Sequence, residues 1–404
     1  MLGGLLVILL SAVFSFVLID RLKVKYPFID AAWLKQLFFY HIFISLVYYG
    51  YVLINPSDSK FYYEKVIMNF RGENWFDSYG TSTTFIEFVG YPFIKFMGFS
   101  YEAIMALFSL FGFIGFVYFY VFFRENIRFK HTLWGQDLLK VIFFLPNLHF
   151  WSASFGKGSI IFMGIGLFFF GISNIRTRWL AILIGGFIIY HVRPHIMLVM
   201  LISSGIGFVF TTKGISWPLR ITFLAGVSVA FYFIYGDVLS LVGIDEQEFL
   251  TQGLDLTHRA GELTKATSGV DITSYSLPFQ LFTFLFRPLF IDAPGVLGLF
   301  VSFENVFYLV MTFRILNLRG IRFLITSNFL VKTGLFSFLT VALALAQISG
   351  NLGLAIRQKS QVMILFMFVI ISFLDKQKLI AYQQAILQRM RKDRLANLTK
   401  EKAV

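Results

Sequence analysis

The chain has 404 residues, 57% of them hydrophobic and only 14% charged, with 53 phenylalanines and a net charge of +13. A soluble domain carries about 25% charged residues, so this composition excludes one. The positive charge lies in short loops between apolar runs, where it acts as a retention signal. That excludes nucleic-acid binding, and the lack of cysteine excludes disulfide and thiolate chemistry.

A spanning helix needs roughly 17–25 apolar residues. The runs predict an all-α fold, a polytopic transmembrane helical bundle with about eleven spans. They fall near 2–19, 36–54, 101–123, 137–154, 158–174, 179–191, 196–211, 221–236, 295–313, 323–348 and 359–374. The N-terminal run lacks a basic leader and an obvious small-residue cleavage site, which predicts a first span rather than a removed signal peptide. The phenylalanine excess suits lipid contact and membrane interfaces. The segment 179–191 is short enough to be a half-helix or part of a tilted hairpin.

With the N-terminus outside, 23 of the 35 lysines and arginines lie in inside loops and 11 outside. This bias predicts N-out, C-in and an odd number of spans. Residues 1–374 then form a single transmembrane domain, and 375–404 a basic cytoplasmic tail. Leu379, Ile380, Ile386, Leu387 and Met390 recur in the tail at helical spacing, which predicts an amphipathic helix on the anionic inner leaflet. Two outer loops are long. In the first, Asn55 to Ser100, residues 59–71 and 84–98 suit helices in the outer interface. In the second, from Asp237 to about Pro294, Ile244 to Tyr275 is polar. Phe279 to Ile291 is an apolar interfacial or re-entrant piece broken at Arg287-Pro288.

A charge at membrane depth costs about 2.5–3.5 kcal/mol on insertion scales, so the outside basic residues call for a reason. Lys157 sits in the polar turn Gly156-Lys-Gly-Ser159, with a helix starting near Ser159 whose amides favour an anion. The plain alternative is a snorkelling lysine. Arg193 lies in His191-Val-Arg-Pro-His195, where an arginine can grip a phosphate while a histidine moves a proton. No acid or cysteine is near this pair in sequence, so no metal is assigned and no cofactor is implied. Arg287, with Asp292 just after it, and Arg357, just before the last span, complete four basic turns on one face. Together Lys157, Arg193, Arg287 and Arg357 predict a positive cavity for an anionic lipid head, best a diphosphate.

Acids supply the other half. Asp58 follows the second span, with Asp77 and Glu87 in the same loop, and a carboxylate there can take a proton from a hydroxyl. A helix cap ahead of 59–71 would also explain Asp58. Glu304, within a span, suits a paired or pore-facing role. His258, Arg259 and Glu262 in the second loop are candidates for sugar contacts.

These segments, Asp58-Ser-Lys-Phe-Tyr-Tyr63, His149-Phe-Trp-Ser-Ala-Ser-Phe-Gly-Lys157, Arg193-Pro-His195, Phe286-Arg-Pro-Leu-Phe290 and Asn351-Leu-Gly-Leu-Ala-Ile-Arg357, resemble the GT-C superfamily of polyprenyl-phosphate-sugar glycosyltransferases. The plan is also similar to EpsG-like and Wzy-type polysaccharide polymerases. The resemblance covers about residues 36 to 374, and the first span is an addition to the usual start. It implies a bacterial inner-membrane transferase that uses undecaprenyl-(di)phosphate-linked sugars at the outer leaflet. It further implies Asp58 as acidic base, with Lys157, Arg193, Arg287 and Arg357 around the lipid phosphate. His191 or His195 is a second proton acceptor. Expected partners are a polyprenyl-linked sugar or glycan, membrane lipids and other glycan-assembly membrane proteins. Two other readings stay open, a transporter of a lipid-linked glycan or anionic substrate and a non-enzymatic membrane subunit.

Overall fold

The computed structural model describes residues 2–211, 217–242, 271–272, 274–293 and 295–401. It is an all-α membrane protein apart from one two-residue hairpin, Thr132–Leu133 against Gln136–Asp137. Among the described residues, six helices are long and apolar enough to cross a membrane, and five apolar helices are shorter, with 10–17 residues. At about 1.5 Å per residue, helices that short reach less than the ~30 Å of a hydrocarbon core.

The first half begins with α1 (Leu2–Lys25) and α2 (Ala31–Ile54), capped by Asp30, whose carboxylate accepts from Trp33 N at 3.1 Å. Two short helices follow, α3 (Asp58–Ile67) and α4 (Thr83–Tyr91), with a 3-10 turn at Trp75–Ser78 between them. Short helices thus form within both of the segments expected to be helical, 59–71 and 84–98. The central helix is α5 (Tyr101–Asn126), buried along most of its length.

The expected span at 137–154 is instead two short helices, α6 (Leu138–Phe143) and α7 (Pro146–Ser152). Pro146 has no amide hydrogen to continue the first helix and is well suited to start the second. The hairpin α8 (Lys157–Ile172) and α9 (Ile175–Val192) packs on α5; α9 is long and apolar enough to cross a membrane but is kinked at Arg178, just before the short segment 179–191.

The second half has α10 (Pro194–Val209), α11 (Trp217–Val242), α12 (Leu277–Phe286) and α13 (Gly295–Ile315). The expected span at 323–348 is divided. An amphipathic helix, α14 (Leu318–Thr326), ends before Asn328, which caps α15 (Phe329–Ile348) by accepting from Val331 N at 3.1 Å. The last helix, α16, runs from Leu352 to Glu401. The tail therefore continues the apolar segment 359–374 as one helix, where a separate helix along the membrane was expected. No proline or glycine interrupts it beyond Gly353.

The core differs from expectation in one respect. Phe108, Phe113, Phe116, Phe119, Phe122, Phe123, Phe143, Phe155 and Phe162 are among the largest fully buried side chains. Much of the phenylalanine thus fills the space between helices, where offset and edge-to-face rings pack well.

The two ends of the bundle carry different chemistry. The face from which α16 emerges holds a belt of ion pairs: Lys35–Asp20 at 2.8 Å, Arg124–Asp137 at 3.3 Å, Lys140–Asp30 at 3.1 Å and Arg178–Glu125 at 2.7 Å. The opposite face gathers the ends of α2 and α9 and the starts of α3, α4, α8, α10 and α16.

Candidate functional site

Asp58 is the first residue of α3, and the cap is its neighbour Ser57, whose hydroxyl accepts from Ser59 N at 3.2 Å. Asp58 is thereby left to another partner. Arg357 Nη1 donates to Asp58 Oδ2 at 2.6 Å across 299 positions of sequence. The guanidinium also lies 5.6 Å from the ring centre of Trp151, a cation–π distance. The Asp58 carboxylate, with hydrogen bonding and charge together, raises the already high proton affinity of Arg357 against the opposing effect of burial.

Lys157 opens α8, and its ammonium donates to Ser82 Oγ at 2.8 Å. Ser82 N donates to the carbonyl of His191 at 2.6 Å, so Ser82 joins the Lys157 turn to the end of α9. The turn is tight because of Gly158, where an added Cβ would lie 2.0 Å from the Trp151 carbonyl. The close approach that Gly158 permits is to the protein's own backbone.

Burial pushes the Lys157 ammonium down to about 8, with Arg193 and Arg357 adding like charge and Asp58 and Glu87 opposing. Burial and Arg357 likewise push Arg193 down to about 10, which leaves it charged at neutral pH. Arg193 forms the turn between α9 and α10. Among the described residues, no carboxylate lies within ion-pair distance of Lys157 or Arg193.

Three of the four expected cations therefore share one electrostatic environment, with Asp58. Arg287 does not join them. It pairs with Asp292 five residues on, and its carbonyl accepts from Lys359 Nζ at 3.0 Å. His191 is buried and has both ring nitrogens engaged, Nε2 with the Tyr79 hydroxyl and Nδ1 with the Phe187 carbonyl, each at 2.9 Å. A carbonyl only accepts, so Nδ1 carries the proton and Tyr79 donates to Nε2. His195 is an exposed residue in the first turn of α10. His258, Arg259 and Glu262 lie outside the described residues. Asp77 is spent locally, accepting from Asn74 N at 3.0 Å.

No protein-family model, curated protein or solved structure matches this chain.

One residue at this face, Tyr62, carries no charge and gave no signal in the sequence. Tyr62 is 5% exposed. Burial and then Asp58 raise its hydroxyl, against Arg357, Thr83 and Arg193, so it remains a hydrogen-bond donor at the centre of the cluster. Glu87 is buried and pairs with Arg71 at 2.9 Å through Oε2, while Oε1 has no partner among the described residues. Deeper in the bundle, Lys359 is fully buried and donates to Leu285 O, Arg287 O and Asn305 Oδ1. Nearby, Glu304 Oε1 accepts from Asn147 N at 2.7 Å. His41 and His149 face each other through Nδ1 at 2.8 Å. Among the described residues, no group of three or more His, Asp or Glu side chains is arranged to hold a metal ion.

Lys157 supplies a pH prediction. Its folded value lies below the ordinary 10.5, so folding disfavours its charged form. That cost is present below about pH 8 and fades as pH rises toward 10.5. A bound anion reverses the preference, so binding above about pH 8 must take up a proton. The affinity for a short-chain polyprenyl diphosphate, measured by calorimetry in detergent, should be level from pH 7 to 8. It should then fall by up to about tenfold per pH unit. Lys157→Arg should remove that fall up to about pH 9.5, since arginine keeps its charge there.

Proposed function

We propose that this chain is a multi-pass transferase of the bacterial inner membrane, N-out and C-in. It would build a surface glycan from undecaprenyl-(di)phosphate-linked sugars at the outer leaflet, as a glycosyltransferase or a polysaccharide polymerase. The observation that carries the reading is the grouping of Lys157, Arg193 and Arg357 with the carboxylate of Asp58 and the buried donor Tyr62. Three cations around a buried hydroxyl suit a phosphate-bearing head group.

In the reaction, an acceptor hydroxyl oxygen bonds to the donor sugar's anomeric carbon. The bond from that carbon to the lipid phosphate oxygen breaks, and its electron pair leaves on the phosphate. Charge growing there is what Lys157 and Arg193 are placed to stabilise. The hydroxyl proton goes to Asp58. In the structure Asp58 is held by Arg357, so the phosphate must first draw Arg357 away. Binding of the lipid would then free the base. His195 is a second acceptor on the same face, and His191, with both nitrogens engaged, serves better as a strut. The test is glycan formation by membranes containing the chain, supplied with a polyprenyl-linked sugar donor.

One observation favours a second reading. Lys359, with Glu304 nearby, puts ionisable groups deep among the helices, as transporters do. In that reading the same lipid-linked glycan would be moved and not joined, and no new glycosidic bond would form in the membrane assay.

A further inference from the structure

The opposite face, from which α16 emerges, holds a second cluster of cations that the proposed reaction does not use. Helix α14 is strongly amphipathic, with Leu318, Ile321 and Ile325 on one side, 85%, 53% and 67% exposed. Arg319, Arg322, Phe323 and Thr326 of the same helix line a cavity of about 550 Å³ together with Lys376, Gln377, Ile380 and Gln384 of α16. An adjoining cavity of about 800 Å³ adds Arg314, Asn317 and Phe373. A third, of about 270 Å³, adds Arg128.

The cleft has a net positive lining. Among the described residues, Arg314, Arg319, Arg322 and Lys376 have no ion-pair partner, in contrast to the belt of paired charges at the same end of the bundle. The one acid on these walls, Asp375, is engaged, its Oδ1 accepting from Phe129 N at 2.8 Å and lying 3.2 Å from His131 Nε2. The geometry of the cleft is built in. An added Cβ at Gly320 would lie 1.9 Å from the Ile315 carbonyl, so only glycine lets α14 fold back this closely on α13. Asn317 fixes the start of α14 by accepting from Gly320 N at 3.0 Å. Phe323 packs at a tilt against Phe373 of α16, ring centres 5.6 Å apart and planes 54° apart, and closes the floor.

We propose that this cleft binds the head group of an anionic phospholipid. The phosphodiester would sit between Arg319, Arg322 and Lys376, and the acyl chains along Leu318, Ile321 and Ile325. An exposed apolar helix face beside unpaired guanidiniums bordering an open cleft is the pairing that a phospholipid satisfies at both ends. A soluble anion would use the cations and leave the apolar face without a role. This inference is independent of the proposed reaction, which lies at the other face.

The experiment uses the full chain in nanodiscs of mixed phosphatidylglycerol and phosphatidylcholine, with retained lipid counted by native mass spectrometry after mild detergent release. The wild type should retain phosphatidylglycerol preferentially. At roughly fivefold for each arginine, R319Q/R322Q should lower that preference about 25-fold, and R319K/R322K should preserve most of it. Lys376→Gln, outside α14, should lower it about fivefold. Excess inorganic phosphate should leave the retained lipid in place. A wild type without head-group preference would overturn the proposal, as would a Gln variant that keeps it or displacement of the lipid by free phosphate.

Discussion

Replacing Arg193 with alanine should reduce glycan formation by about 100-fold or more while leaving the protein in the membrane, since removal of one well-placed donor to a developing anion costs 10²–10³ in rate. The reason for this size lies in what surrounds Arg193. Its guanidinium is close to Arg357 and Tyr62, and no described carboxylate pairs with it. A structural arginine at such a depth would be expected to have an acid, because an unpaired buried charge is costly. Its natural counter-charge is the ligand. Arg193→Lys keeps a point charge and loses the planar fork, so it should fall between the two, with a loss of about tenfold from the missing second hydrogen bond. Product per unit of membrane protein, with the protein quantified by blot, reads the effect. Normal glycan from the alanine variant would remove Arg193 from the site.

Asp58→Asn should separate two roles. If Asp58 takes the acceptor's proton, the isosteric amide should slow transfer by about 10²–10⁴-fold. The same change frees Arg357 from its 2.6 Å ion pair, so the lipid should be held as well as in the wild type or better. Slow transfer with undiminished lipid binding is the expected pattern. A merely structural Asp58, needed only to keep Arg357 in place, would give the opposite: binding and transfer would fall together, and Asp58→Glu would restore both.

What the sequence could reveal followed from contrast. In a chain so poor in charge, Asp58, Lys157, Arg193 and Arg357 stand out, and the structure brings them into one cluster. Arg287 stood out in the same way, but its partner Asp292 was visible five residues on, and a local ion pair was the simpler expectation. Tyr62, Ser82 and Trp151 were hidden because aromatic and hydroxyl residues are abundant here, and nothing local distinguishes the ones that meet across the fold. Lys359 was absorbed into the edge of an expected span, and His41 into the middle of one, because hydropathy averages over single polar residues. The broken spans were partly legible. Pro146 and Asn328 are ordinary helix-starting signals, but a run of apolar residues long enough to span outweighed them. The continuation of α16 beyond the membrane had no such marker, because an amphipathic pattern fits a helix that stands away from the bilayer as well as one that lies on it.

The central claim is that Lys157, Arg193 and Arg357 hold a polyprenyl phosphate or diphosphate lipid. The most direct measurement is mass spectrometry of the lipids extracted from the purified wild-type chain and from Arg193→Ala. The account predicts a polyprenyl-phosphate species bound to the wild type and lost or sharply reduced in the variant. Its absence from the wild type, or its equal recovery from both, would contradict the account.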